Sequence, residues 1–389
     1  MSRLEQLINE LCPNGVEYVN IGSIVNYEQP TNYIVTSTDY NDNFDIPVLT
    51  AGQSFILGYT NEIENIYNAS IESPVIIFDD FTAAFKWVDF PFKVKSSAMK
   101  MLTSNIEKTT LRYIFHMMSS ICYSTDEHKR LWISRYSQLQ IPLPPLPVQE
   151  EIVRILDNFT ELTAELTAEL TAELTARKKQ YEYYRNSLLS ESELCTDGVE
   201  YRKIKDCFQR LRGTAITAGK MKEIECEAGE IRVFAGGKTV VNANEKDIPN
   251  ANIIRVPAVF VQSRGVIDVI YFEKPFTFKN EMWAYTHSEK TTVKYLFYFL
   301  KNNIQQFRSS ASGMGSLPQI SLPVTEDFLI PIPPLKEQER IVAILDKFDT
   351  LTTSINEGLP AEIEARKQQY EYYRDNLLNF EKIDIEVLI

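Results

Sequence analysis

The chain has 389 residues, 44% of them apolar and 24% charged, which is the composition of a globular protein with room for two or three domains. A formal net charge of −13 argues against a protein that coats nucleic acid through bulk charge, since non-specific affinity comes from neutralising phosphates. The start MSRLEQLINELCPNGVEY has no secretory apolar run and no stretch approaches a membrane span, so a cytoplasmic chain without membrane contact is expected.

In chain order, a leader (1–24) precedes a segment of mixed α/β character (25–140). Its run Pro74 to Phe78 suits a buried strand, Ala51-Gly52 a turn and Leu111–Met118 a helix. A proline step at 142, 144, 145 and 147 then fixes an extended entry into a helix. Ile152, Ile155, Leu156, Phe159 and Leu162 give that helix one apolar stripe, and ELTAELTAELTAELTA at 161–176 continues it through Leu166, Leu170 and Leu174. The period of four drifts by about 40° per unit, so the stripe cannot hold a strict heptad seam. This spacer runs over 141–193.

The chain is then written a second time. A second leader (194–207) opens a second segment (208–329), in which Pro257 to Val261 suits a strand, Gly236-Gly237 a turn and Val293–Leu300 a helix. A second spacer (330–380) and a tail (381–389) follow. IPLPPLPVQEEIVRILDNF at 141–159 returns as IPIPPLKEQERIVAILDKF at 330–348, matching at 13 of 19 positions with an offset of 189. ARKKQYEYYRNSLL at 176–189 returns as ARKQQYEYYRDNLL at 365–378, matching at 11 of 14 with the same offset. Ile341, Ile344, Leu345, Phe348 and Leu351 repeat the stripe. The enclosed segments agree only faintly, which points to one fold carrying different surfaces. No small domain needs so long a helix for its own core, so the two stripes are expected to bury against each other as an antiparallel coiled coil, with the globular segments at opposite ends. Asn356-Glu357-Gly358-Leu359-Pro360 predicts a kink or a break in the second helix. The expected fold class is therefore α/β (α+β), in two tandem pseudo-symmetric halves.

A catalytic constellation is not legible. AGGKT at 235–239 imitates a phosphate loop, but the required first glycine is Arg232. Asp79-Asp80 reads better as a turn cap than as a carboxylate pair, and GMGS at 313–316 better as a turn than as an anion loop. His116, His128 and His287 are isolated, and Cys12, Cys122, Cys195, Cys207 and Cys226 are scattered and never CxxC, so no metal site or disulfide framework is indicated. What remains is basic and aromatic interleaving suited to phosphate and base contacts. In the first segment the candidates are Lys86, Trp87, Lys93, Lys95, Ser96, Ser97, Lys100, Lys129, Arg130 and Arg135, with Phe90 and Phe92 among them. In the second they are Arg232, Lys238, Arg255, Gln262, Ser263, Arg264, Lys279 and Arg308, with Lys274 and Lys294. Any one of them could equally be an ordinary solvated residue.

Two variable segments, each closed by [IL]P[IL]PPL, QE[ER]IV.ILD.F and RK.QYEYYR..LL, resemble the specificity subunits of type I restriction-modification systems, in the branch whose first spacer carries TAEL repeats. The resemblance implies a non-catalytic, DNA-binding subunit whose two target-recognition domains each read half of a bipartite, asymmetric site. It implies two modification subunits, which would supply S-adenosylmethionine and adenine-N6 methylation, and two restriction subunits using ATP and Mg. No cofactor or metal would belong to this chain. A coiled-coil scaffold with two protein-binding domains and no DNA role is the alternative.

Overall fold

The computed structural model describes residues 2–50, 54–123, 130–190, 194, 199–237, 239–312, 317–354 and 357–383. The Ala51-Gly52 turn, His128, Cys195, the 313–316 loop, Asn356 and most of the tail lie outside them. The chain divides into two compact units, residues 1–168 with 363–389, and residues 169–362.

The first unit opens with α1 (Arg3–Leu11), closed by a capping box in which Ser2 and Glu5 satisfy each other's backbone N–H groups. Strands β1 (Glu17–Asn20) and β9 (Gln140–Leu143) pair antiparallel, tying the leader to the proline step. Between them lie two sheets. One has order β2 (Val25–Glu28), β8 (Met99–Ser104), β5 (Val75–Asp79), β6 (Phe85–Val88). The other has order β4 (Ile56–Thr60), β3 (Ile46–Leu49), β7 (Lys93–Val94), with β3 and β7 parallel. Strand β5 is buried along its whole length, as an uninterrupted VIIF run requires. Helix α2 (Leu111–Ser120) is capped by Thr110 and packs on the first sheet.

The second unit repeats this topology strand for strand. β10 (Tyr201–Lys203) pairs antiparallel with β18 (Leu329–Pro331). The four-stranded sheet is β11 (Gln209–Arg212), β17 (Trp283–Thr286), β14 (Ala258–Gln262), β15 (Asp268–Phe272). The three-stranded sheet is β13 (Val240–Ala243), β12 (Ile231–Phe234), β16 (Phe276–Phe278), again with one parallel pair. The faint similarity of the enclosed segments thus conceals one fold. Gly236-Gly237 turns the chain between β12 and β13, the bland reading of AGGKT.

The first connector is a single helix, α3 (Leu146–Leu188), roughly 65 Å long at ~1.5 Å per residue. In the second half α4 (Lys290–Asn302) is the counterpart of α2, and the stretch that matches α3 is two helices, α5 (Leu335–Thr353) and α6 (Leu359–Leu377). The expected break is real. Gly358 is buried at it, and a Cβ there would collide with the Thr350 carbonyl oxygen.

The expectation that the whole stripe buries against the opposite helix is corrected. Ile152 and Leu156, fully buried, complete the first unit's own core with Ile76, Phe78, Tyr113, Ile114 and Met117, while Ile155 packs at its margin. Ile341 and Leu345 do the same in the second unit beside Val259, Tyr295 and Leu296, with Ile344 at the margin. The first turns of each connector thus close their own unit's apolar core, in the second unit by packing against α4. Each fully buried Ile or Leu contributes roughly 1.5–3 kcal/mol there. Pairing of helices begins further along. In the first unit Phe159 stacks on Tyr373 and Thr160 Oγ1 lies 2.9 Å from the Tyr370 hydroxyl, an antiparallel register. In the second, Phe348 stacks on Tyr181 and Tyr184. Leu162 is 59% exposed, and Leu166, Leu170, Leu174 and Leu351 are half-buried, so the four-residue phrase holds no dry seam.

The repeated proline step has a local cause. Buried Gln149 donates to the carbonyls of Pro144 (2.7 Å) and Lys108 (3.1 Å) and accepts from Thr109 and Thr110, locking the α2 N-terminus to the start of α3. Gln338 donates to Pro333 at 2.8 Å. Tyr113 and Tyr295 each donate to a step carbonyl, of Pro142 and Pro331, at 3.0 Å.

Candidate nucleic-acid interface

In the first unit the basic cluster separates into an inner and an outer set. Lys93 and Lys100 are inner, and their assignment as DNA contacts is corrected. Lys93 is 3% exposed; it reaches Glu62 at 2.8 Å and donates to the Glu64 carbonyl at 2.8 Å. Burial pushes the Glu62 carboxyl up, but Lys93 and the Ser37 and Thr36 N–H groups outweigh it and hold the group down at about 2. Lys100 lies fully buried, 3.1 Å from Asp80 and over the Tyr27 ring. A lysine inside needs a carboxylate beside it, and both found one. Asp79 and Asp80 are also structural: Asp79 accepts from the Phe81 and Thr82 N–H groups, and Asp80 from those of Leu131 and Trp132.

Strand alternation splits Lys86 from Trp87. Lys86 is exposed, while Trp87 turns inward beneath the Arg112 guanidinium, 4.8 Å from its ring centre, and against Phe115. Phe92 is buried in an apolar cluster with Leu49, Val75, Ile77 and Met101, and Phe90 packs against it. Lys95 is half-buried over Tyr40, and Ser96, Ser97, Arg130 and Arg135 are exposed. Lys129 lies outside the described residues.

In the second unit Gln262 and Ser263 are buried beneath a hairpin tip and do not face solvent. Arg232, Arg255, Arg264 and Arg308 are exposed. Arg232 meets Asn242 at 3.3 Å, Arg255 pairs with Glu245, and Arg308 donates to the Ile267 carbonyl at 3.1 Å. Lys279 pairs with Glu281 at 3.1 Å, Lys274 is exposed, and Lys294 is engaged by Asp346. Such exposed ion pairs are worth at most about 1 kcal/mol and open readily to a phosphate. Lys238 lies outside the described residues.

A second feature, which net charge and basic clustering do not reveal, is the dock between each α/β segment and its connector. Asp157 on α3 receives Arg112 Nε at 2.7 Å and His116 Nε2 at 2.8 Å. Burial lowers the His116 pKa, Asp157 opposes this only in part, and the ring is a satisfied core histidine. In the second unit Asp346 receives Lys294 at 2.7 Å and the Tyr298 hydroxyl at 2.5 Å, while Lys294 sits 5.4 Å from the Tyr271 ring centre. The sequence holds a signal for it: ILD recurs in both connectors, and an aspartate on an apolar stripe needs a partner. Among the described residues no three His, Cys, Asp or Glu side chains are placed to hold a metal, and no helix is long and apolar enough to cross a membrane.

Known proteins share this arrangement. The type I restriction modification DNA specificity domain matches twice, over residues 13–176 and 196–365. The chain is 44% identical to the type I restriction enzyme EcoR124I/EcoR124II specificity subunit of Escherichia coli, over 98% of each chain. It is 34% identical to a putative type I restriction enzyme specificity subunit of Haemophilus influenzae, S.HindORF215P, over 84% of this chain and 86% of that one. Its fold is shared with the S subunit of a type I restriction-modification system from M. genitalium (TM-score 0.52, 15% identity, 94% and 96% of the two chains). It is also shared with a chain from a structure of complex assembly and conformational transition in a type I R-M system (TM-score 0.60, 16% identity, 95% and 98%). Two copies of one domain, each built on the same topology and each closed by the same connector motif, make this chain a member of the type I restriction-modification DNA specificity family.

Proposed function

We propose that the chain reads a bipartite, asymmetric DNA site, one half through each α/β segment, with the length of the connectors setting the number of unread base pairs between the halves. As a member of its family it is a non-catalytic, cofactor-free specificity subunit. Catalysis falls to partners: two modification subunits that bind S-adenosylmethionine and methylate adenine N6, and two restriction subunits that use ATP and Mg, all acting in the cytoplasm. The observation that carries the reading is the repetition of one topology with divergent exposed side chains. One scaffold used twice suits one kind of ligand, and different tips suit two different sequences. The exposed members of the basic set, among them Lys86, Arg130, Arg232 and Arg264, are the proposed contacts to DNA.

The test is methylome sequencing of a host carrying a modification partner, with and without this gene. A split adenine-methylated motif that appears only with the gene is the expected result. Its absence, with the subunits shown to assemble, would return the scaffold alternative.

A further inference from the structure

We infer that Arg264 is the side chain by which the second unit selects a guanine in its half of the target; the inference rests on the DNA-reading role proposed above. Arg264 stands two residues past the end of β14, at the tip of the β14–β15 hairpin. Its backbone is clamped from two sides. The Arg264 carbonyl accepts from the Gly237 N–H at 3.0 Å, which ties the tip to the β12–β13 turn. On the other side the Gly265 N–H donates to Pro318 at 2.8 Å, the Ile320 N–H donates to Ser263 at 3.0 Å, and Arg264 bridges Gln319. Gly265 takes φ +81°, and a Cβ there would stand 3.0 Å from the Gly237 nitrogen, so the two turns meet as closely as backbones can. Below the tip, Gln262 and Ser263 are buried.

On this fixed base the Arg264 side chain is exposed and has no hydrogen-bond or ion-pair partner among the described residues. The other three candidate arginines of the unit are each engaged, Arg232 by Asn242, Arg255 by Glu245 and Arg308 by Ile267. The distinction matters for what each can do. A phosphate is reached well enough by a long, mobile cation. A base edge demands placement to within about half an ångström, which a rigid tip supplies and a loose loop does not. The guanidinium carried on this fixed backbone can present two parallel donors, which match the O6 and N7 acceptors of guanine in the major groove.

The first unit supports the assignment by contrast. Two residues past the end of β5, its hairpin tip carries Phe81, and that tip is clamped as firmly, with Asp79 accepting from the Phe81 and Thr82 N–H groups and Asp80 from Leu131 and Trp132. The position is preserved as a rigid tip while its side chain changes from apolar and aromatic to cationic.

The assembled complex with its modification subunit is the material for the test, with wild type, Arg264→Ala and Arg264→Lys compared by methylome sequencing and by methylation of duplexes substituted singly at each half-site position. Expected for Arg264→Ala is the loss of roughly tenfold or more preference for guanine at one position of one half-site, with the other half-site and the spacing unchanged. Arg264→Lys retains part of that preference. A uniform fall in methylation on all sequences, an unchanged motif, or a change in both half-sites would overturn the inference while leaving the specificity reading intact. A wild-type complex with no split motif would overturn the reading beneath it, and the inference with it.

Discussion

The ring of Phe159 lies 5.8 Å from that of Tyr373 and within 6° of parallel, and in the second unit Phe348 meets Tyr184 at 5.5 Å and 27°. Phe348 is the repeat of Phe159 and Tyr373 the repeat of Tyr184, each displaced by 189 positions. The same stack is therefore made twice with the roles of the two connectors exchanged. This explains why RK.QYEYYR..LL is present in both copies: each tyrosine segment packs on the phenylalanine of the other connector.

Removing either partner of the first stack should cost about 1–2 kcal/mol, since Phe159 is half-buried and Tyr373 exposed. Phe159→Ala and Tyr373→Ala combined should fall short of the sum of the single changes by about 0.5–1.5 kcal/mol, the coupling typical of stacked aromatics. Denaturant unfolding of the full chain and its three variants measures this. Strict additivity would show that the rings are neighbours without interaction.

The inner and outer lysines should separate cleanly. Lys100→Ala strands the buried Asp80 carboxylate and should destabilise the protein by about 3–5 kcal/mol, whereas Lys93→Ala leaves the half-buried Glu62 with its Thr36 and Ser37 donors and should cost about 1–3 kcal/mol. Lys86→Ala and Arg130→Ala should stay within about 0.5 kcal/mol of wild type in stability. They should instead weaken DNA binding by the assembled complex and lower its salt slope by about 1 for each phosphate that is no longer neutralised. Thermal unfolding and salt-dependent binding distinguish the two classes.

His116 makes the first dock acid-sensitive. Its folded pKa is depressed below the ordinary value of 6.5 by burial, so below that value the unfolded chain binds more protons than the folded one. The stability that the neutral ring supplies is present above pH 6.5 and is lost as pH falls below it, towards the folded value. Unfolding free energies at pH 7 and 5.5 should converge between wild type and His116→Gln. Divergence on acidification would mean that a charged imidazole paired with Asp157 stabilises the fold.

Deleting Thr163–Leu166 removes one four-residue phrase and shortens α3 by about 6 Å, with about 40° of rotation, at ~1.5 Å and 100° per residue. The leucines of the phrase are exposed or half-buried, so the cost in stability is small. The methylome of the deletion should show the unread spacer shortened by one or two base pairs and both half-sites unchanged. Altered half-sites would count against a ruler in this segment.

The sequence carried the organisation of this protein because repetition is visible without coordinates. It showed two halves, the proline step and the helical connectors through periodicity and self-comparison, the break near Gly358 through its glycine and proline, and the buried strands at Val75 and Ala258 through their apolar runs. The basic set was only partly legible. Charge and spacing are alike for Lys93, buried and bound to Glu62, and Lys95, half-buried over Tyr40.

By itself the sequence determined that one fold is used twice and joined by paired helices, since apolar periodicity and repeat offset are properties of the chain. Only the tertiary structure decided where each apolar face went. Ile152 and Leu156 look identical in pattern to residues of a coiled-coil seam, yet they enter the core of their own unit. The reason is physical: burial rewards the removal of apolar area from water whatever covers it, and each unit's own apolar core covers the first turns of its connector. The same holds for the arginines of the second unit, which look alike in sequence: folding engages Arg232 with Asn242, Arg255 with Glu245 and Arg308 with the Ile267 carbonyl, while the Arg264 side chain has no partner among the described residues.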